Sequence, residues 1–357
     1  MSSRVRISIV FGGKSPEHRA SLESFRHVLG EIQRDDGIEI EDIYYVNVEG
    51  RVAVKSFRSD VSVDNYMRDH ESMPYWAALG RMANAGTFVL NLLHGNFGED
   101  GHVQGAAAIT SVPGSFGPVL AASLAMSKYH MNQYVAGAHP EVKIPDTLFL
   151  QERDLPEFDR WISDRFSGAE IVVKPNSLGA SLFTRRYHVD FDDIALINAN
   201  LAEIFEYDTS ALVQRYISGT EYSIGCLQKE EEIIALPAVR IETDGAFFGH
   251  EQKHRSGKAN EVVVTEASVI VESMRELSVD IFESVGFRNM CRFDFIVSPD
   301  DAIYFLEANP IPGLMRNSIF PKMLSASDIS LGDAILQFRN NHLSEKPRKH
   351  FVDYQID

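Results

Sequence analysis

The chain has 357 residues, 44% hydrophobic and 24% charged, with 34 basic against 51 acidic side chains and a net charge of −17. Such a composition supports a sizeable core and excludes a disordered chain. The acidic balance argues against nucleic acid and anionic membrane as main partners, because both demand a basic surface.

At roughly 100–200 residues per domain, the length implies two or three domains. Cys226 and Cys291 lie far apart, with no His or Cys neighbour at ligand spacing, so neither a disulfide framework nor a zinc site is expected. No run of about 18 apolar residues is present, which argues against a membrane-spanning helix. The apolar stretch ending at Phe11 is too short for a signal peptide. The expectation is a soluble, cytoplasmic protein.

Residues 4–11 alternate and are rich in Val and Ile, which predicts a strand broken by Gly12-Gly13. Leu22, Phe25, Val28, Leu29 and Ile32 then share one face of a helix. Strands follow at 38–48 and 87–93, while 50–86 has weak periodicity and reads as an insertion. Strand, glycine turn and helix in that order predict a parallel sheet with ligand-binding loops at its C-terminal edge. The turn-rich 111–118 marks a boundary. Beyond it, helices are predicted near 118–138 and strands at 144–150, 171–174, 181–185 and 211–217. The remainder carries strands at 221–228, 232–242 and 261–266, a helix near 268–285, a hairpin of 291–297 with 302–309, and two terminal helices. The polar segment 243–260 has the composition of a lid.

Three stretches carry chemistry. Residues 91–105, Asn-Leu-Leu-His-Gly-Asn-Phe-Gly-Glu-Asp-Gly-His-Val-Gln-Gly, put glycines that permit close backbone approach beside His94, Glu99, Asp100 and Gln104. On the terminal hairpin, Asp294 and Glu307 fall on adjacent antiparallel strands, with Arg292 and Asn309 on the same face. Two carboxylates and an amide oxygen among Phe293, Phe295, Tyr304 and Phe305 suit Mg²⁺ better than solvent. Lys174 ends an apolar strand before Pro-Asn-Ser-Leu-Gly-Ala-Ser181, a loop able to place an ammonium and N–H groups against phosphate. A fourth stretch, Gln214 to Glu221, says little by itself.

Taken in order, these pieces resemble the D-alanine–D-alanine ligase family of the ATP-grasp superfamily, from Ile7 to about Leu324. The most specific parts are Gly12-Gly-Lys-Ser-Pro-Glu17-His, His94 to Gly105, and Arg292-Phe-Asp294 with Glu307-Ala-Asn309-Pro-Ile-Pro312-Gly313. The resemblance implies a three-domain ATP-grasp architecture, α/β and α+β: an N-terminal parallel-sheet domain over 1–116, a small central subdomain over 117–213, and a C-terminal subdomain over 214–357 holding the metal site and lid. It implies ATP-dependent joining of a carboxylate to an amine through an acyl phosphate, on small amino-acid substrates. Two Mg²⁺ ions, or Mn²⁺ in their place, and a homodimer come with it.

Carried over position by position, the resemblance gives Lys128 and Lys174 to the ATP phosphates, and Gln214, Arg215, Ile217 and Glu221 to adenine and ribose. Asp294, Glu307 and Asn309 would hold metal, and Arg292 with the Gly313 N–H would stabilise the tetrahedral oxyanion. Glu17 would orient the first substrate's ammonium, His94 would lie near its carboxylate, and Ser318 would bind the second substrate's carboxylate. Ser181 falls in the catalytic loop.

Departures from the family pattern are equally informative. Gln214 replaces a glutamate but keeps a carbonyl acceptor. Ala180 stands where a serine is usual. The lid offers either Lys253-His254 for a lysine–tyrosine pair or, in an offset register, His250 where D-alanine–D-lactate ligases carry a histidine; in either register its protonation would shift acceptor preference between about pH 6 and 8. Arg316 adds a cation beside the second-substrate site. Three functions therefore compete: a D-alanine ligase, the same chemistry on another amino or hydroxy acid such as D-lactate, and a nucleotide-binding protein without catalysis.

Overall fold

The protein is described by a computed structural model covering residues 4–68, 71–190, 194–243 and 259–346. Its first sheet contains β1 (Val5–Gly12), β2 (Ile38–Val46), β3 (Arg51–Ser56), β4 (Ser72–Pro74) and β5 (Phe88–Asn91), in the order β4-β3-β2-β1-β5. β1 runs parallel to both β2 and β5. The helix His18–Ile32 buries Phe25, Val28, Leu29 and Ile32, a stripe at i, i+3, i+4 and i+7, against this sheet. Phe25 stacks on Phe11 of β1 with ring centroids 3.7 Å apart. The loops leaving β1 and β5 thus emerge side by side at the C-terminal edge, where parallel sheets bind ligands.

The second sheet holds β6 (Thr147–Gln151), β7 (Glu170–Pro175), β8 (Arg185–His188) and β9 (Ser210–Arg215), antiparallel in the order β6-β9-β7-β8. Helices Leu155–Phe166 and Ile194–Phe205 share a core with Ile171, Val173, Ala211 and Val213. The period of two along a strand then turns Val172, Lys174 and Gln214 to the opposite face.

A third sheet runs β13-β12-β10-β14-β15, with β11 also paired to β10, from β10 (Thr220–Lys229), β11 (Glu232–Ala235), β12 (Val239–Thr243), β13 (Ala259–Val263), β14 (Met290–Val297) and β15 (Ile303–Asn309). Cys291, Phe293 and Phe295 of β14 pack with the helix Val269–Val285. Alternation sends Arg292 and Asp294 to the face turned toward the second sheet. Cys226 and Cys291 are register partners across β10 and β14, both buried and both free thiols. The helices Ile319–Ser325 and Leu331–Ser344 insert Phe320, Leu324, Ile335 and Phe338 into one core with Ile7, Ile9 and Val28, so the first and third sheets are joined apolarly.

Four sequence expectations differ from this architecture. Residues 50–86, expected as an insertion of uncertain structure, are built into the first sheet: β3 and β4 extend it, and Tyr75–Ala85 is a helix burying Ala78, Leu79 and Met82. Strand 181–185 moves to Arg185–His188, because Ala180, Ser181 and Phe183 take φ of 53°, 52° and 57° and close a turn no strand can follow. Strand 232–242 divides into β11 and β12 at Leu236-Pro237, since proline lacks the N–H a ladder needs. The helices flanking the second sheet went unread, although Leu155, Phe158, Ile162 and Phe166 recur at helical spacing behind Pro156, a favoured first-turn residue. Of the segment 243–260 expected to form a lid, residues 244–258, including His250, Lys253 and His254, lie outside the described residues. Among the described residues no helix is long and apolar enough to cross a membrane.

Candidate active site

A cavity of about 910 Å³ opens between the first sheet's C-terminal edge and the third sheet, and a slot of about 160 Å³ lies between the second and third sheets. They meet at a common wall of Gly179, Glu221, Asp294 and Glu307. The site is built from both chambers.

The wall is set by the terminal hairpin. Asp294 faces Glu307 across β14 and β15, and Arg292 faces Asn309. Directly opposed carboxylates repel, so counter-charges must lie close by. Arg292 grips Asp294 with two N–H donors at 2.9 Å each, Ser223 donates to the same carboxylate at 2.6 Å, and Asn309 donates at 3.3 Å. Burial would lower the Arg292 pKa, but Asp294, Glu307 and Glu221 outweigh it and hold the guanidinium charged. Lys128 lies 3.4 Å from Glu307 and donates to the Leu178 carbonyl at 2.8 Å.

This donor set fits a hard divalent cation. The Asn309 amine points at Asp294, which leaves its carbonyl oxygen for a ligand, and Asp294 and Glu307 supply oxygens of the kind Mg²⁺ takes. Among the described residues no cluster of three His, Cys, Asp or Glu side chains could close around a metal. Oxygens from a bound phosphate would complete the set, as is usual for Mg²⁺.

Glu17 precedes the helix His18–Ile32 and lines the cavity. It is crowded into place: a Cβ on Gly179 would lie 2.5 Å from its carboxylate, and one on Gly95 2.8 Å. The 91–105 stretch separates into two kinds of residue. Asp100 accepts from the N–H groups of Phe97 and His102, and Gln104 clamps Gly98 and Gly101, so these residues fasten the loop. His94 and Glu99 face the cavity. His94 is 4% exposed, with Nε2 3.0 Å from Ser24 Oγ, and burial pulls its pKa down to about 4. It is therefore neutral at pH 7.

Glu99 is the site residue that the sequence reading left without a role. One of its oxygens accepts the Gly95 N–H at 2.8 Å, while Oε2 is buried with no donor. Burial pushes its carboxyl up to about 8, the nearby Glu17 adds to this, and Gly95, Lys128 and Arg292 act against it. No local pattern marks such a residue, since its burial is wholly tertiary.

These two shifts oppose each other in stability. Glu99 binds its proton more tightly folded than unfolded, so its contribution is full below about pH 4.3 and is lost as pH rises through about 8. His94 does the reverse: its contribution is full above about pH 6.5 and is lost as pH falls through about 4. Between about pH 6.5 and 8, below the range in which the unfolded Cys226 and Cys291 thiols ionise, Glu99 should dominate the slope. Thermal melts across that range should therefore fall with pH in the native protein and flatten in Glu99→Gln; parallel curves would refute the assignment.

Gly313 and Ser318 lie together on the cavity wall, where a Cβ on Gly313 would approach Ser318 Oγ to 3.2 Å. Their loop is tied to the first helix, with Leu314 N–H donating to Ser24 at 3.3 Å and Leu314 O 2.8 Å from His27 Nδ1. Arg316 lines the same cavity, exposed, and among the described residues it forms no ion pair. Ala180 borders the cavity, whereas Ser181 borders the slot.

The slot carries Lys128, Lys174, Gln214, Arg215, Ile217 and Glu221 together. The Arg215 guanidinium is drawn over the Phe166 ring and to 3.9 Å from Asp146. Alternation along β9 places it opposite Gln214, so Arg215 meets the slot through its backbone.

Known proteins match along almost the whole chain. The family described as "D-ala D-ala ligase N-terminus" matches residues 6–115, and "D-ala D-ala ligase C-terminus" matches residues 157–338. A D-alanine–D-alanine ligase of Leptospira biflexa is 28% identical, over 93% of this chain and 97% of its own. The vancomycin C-type resistance protein VanC1 of Enterococcus gallinarum is 29% identical, over 91% and 94%. Among solved structures, the VanG D-Ala:D-Ser ligase of Enterococcus faecalis shares the fold with a TM-score of 0.75 at 20% identity, over 95% of this chain and 100% of that one. The chain thus belongs to the D-alanine–D-alanine ligase family and is an ATP-dependent ligase of α/β, ATP-grasp architecture.

Proposed function

We propose that this enzyme joins the carboxylate of one small D-amino acid, held in the cavity, to the amine of a second, with ATP in the slot. Residues 1–116 would present the first amino acid, and 117–213 with 214–357 would enclose the nucleotide. The observation that carries this is the shared wall, where Asp294 and Glu307 belong to both chambers.

In this reading Glu17 orients the first substrate's ammonium, and neutral His94 lies beside its carboxylate without adding charge. Lys128 and Lys174 draw the ATP phosphates toward the wall. A carboxylate oxygen of the first substrate attacks the γ-phosphorus, ADP leaves, and an acyl phosphate forms. The second substrate's amine, having lost a proton, attacks the carbonyl carbon; phosphate then departs as the amide forms. Arg292 and the Gly313 N–H stabilise the negative oxygen between those two events, and Ser318 holds the second carboxylate. Asp294, Glu307 and Asn309 would hold Mg²⁺, or Mn²⁺ in its place, which offsets charge on the phosphates. Catalysis is then chiefly positioning and electrostatics.

Arg316 favours a second reading for the acceptor. A cation on the cavity wall without an acidic partner among the described residues suits a second substrate bearing an extra acidic group. ADP release with Mg²⁺, ATP and a panel of D-alanine, D-serine, D-lactate and D-glutamate tests both. No release with any combination sinks the ligase reading, and full activity with D-alanine alone sinks the acidic acceptor.

A further inference from the structure

Gln214 is 4% exposed and lies on the slot wall. A carboxamide can be turned over with almost no change of shape, exchanging an acceptor for a donor. What Gln214 offers a nucleobase is therefore decided by its neighbours. A glutamate would raise no such question, since both its oxygens accept.

The neighbours leave one answer. Thr147 is the register partner of Gln214 across β6 and β9. Its hydroxyl lies 2.7 Å from the Pro145 carbonyl, which only accepts, so the single hydroxyl proton is committed there. The hydroxyl oxygen, 2.9 Å from Gln214, is left to accept, and Gln214 must give it the Nε2 amine. The Oε1 oxygen is thereby the free end, and no described residue donates to it.

We propose that Thr147 is a positioning residue which, through the Pro145 carbonyl, locks the Gln214 carboxamide with its oxygen toward the base and so selects 6-amino over 6-oxo purine nucleotides. A 6-amino purine donates to that oxygen. A 6-oxo purine presents its own oxygen there, and with the amide locked neither of the two facing oxygens carries a proton. The inference rests on the slot being the nucleotide site, and the experiment separates the two.

ATP and ITP, which differ at the purine 6-position and its ring proton, are compared in steady-state turnover, with ADP and IDP binding measured by calorimetry. The native enzyme should prefer ATP. Thr147→Val frees the amide to turn over and should narrow the ATP:ITP ratio of kcat/KM by about tenfold, the worth of one hydrogen bond. The change should lie in KM and in nucleotide affinity, with kcat held, because the base is remote from the reacting atoms. Thr147→Ser keeps the hydroxyl and should restore the native ratio. In Gln214→Glu, adding Thr147→Val should leave the ratio where Gln214→Glu alone sets it. A native ATP:ITP ratio retained in Thr147→Val overturns the lock. Failure of the native protein to bind ADP at all overturns the slot reading instead.

Discussion

Replacing Arg292 by methionine should lower kcat/KM by about 10³-fold or more and also destabilise the fold. Two separable losses combine. Removing a donor from a developing oxyanion typically costs about 10²–10³-fold in rate. The second loss is structural: Asp294, 3% exposed and opposite Glu307, would keep Ser223 and Asn309 but lose its charged partner. Breaking a buried ion pair by removing one member commonly costs about 3–5 kcal/mol. Arg292→Lys restores charge without the two-pronged grip on Asp294, so it should recover stability more fully than rate. The double substitution Arg292→Met with Asp294→Asn removes the stranded charge and should regain melting temperature while remaining inactive. Turnover of Arg292→Met within tenfold of the native enzyme would refute the oxyanion role.

Much of this site could be read before the fold was known, and the reason differs between its parts. The hairpin of β14 and β15 was legible because Cys291 to Phe295 alternate apolar with charged residues and Pro299-Asp300-Asp301 marks the turn. The shared face of Arg292 and Asp294 then follows from a period of two, whereas the register shift between Asp294 and Phe295 left no mark in the sequence. Lys174 stood out at the end of an apolar run, whereas Gln214 drew notice only through the family resemblance. The fate of Ala180 and Ser181 was not legible, because successive residues at positive φ leave no periodic trace, and their loop is set by what surrounds it. Asn176 bonds Ser127 and Tyr129, and Ser177 bonds Asp208, contacts that join distant segments. Glu99 and His94 show the deeper limit. Their residue types were visible, but their protonation depends on burial assembled from both ends of the chain. Thr147 was invisible for another reason: its effect is exerted through the orientation of a neighbouring amide.

Gly95→Ala should cost about 10²-fold in kcat/KM, mainly through KM for the first amino acid. Gly95 has φ of +67°, and a Cβ there would lie 2.2 Å from Ser15 Oγ and 2.8 Å from Glu17 Oε1. Ser15 Oγ in turn accepts the Glu17 N–H at 3.0 Å, so moving Ser15 also moves the backbone that carries the carboxylate. Displacing a substrate-orienting group by about 1 Å is enough for such a loss. The same substitution strains the backbone, because alanine in the left-handed region costs about 1 kcal/mol. Strain and displacement can be told apart at Gly86, which has φ of +64° and nothing within 4 Å of an added Cβ. Gly86→Ala should lower the melting temperature by the strain alone and leave KM unchanged. Equal KM increases in the two variants would mean that backbone strain, and not the position of Glu17, governs binding of the first substrate.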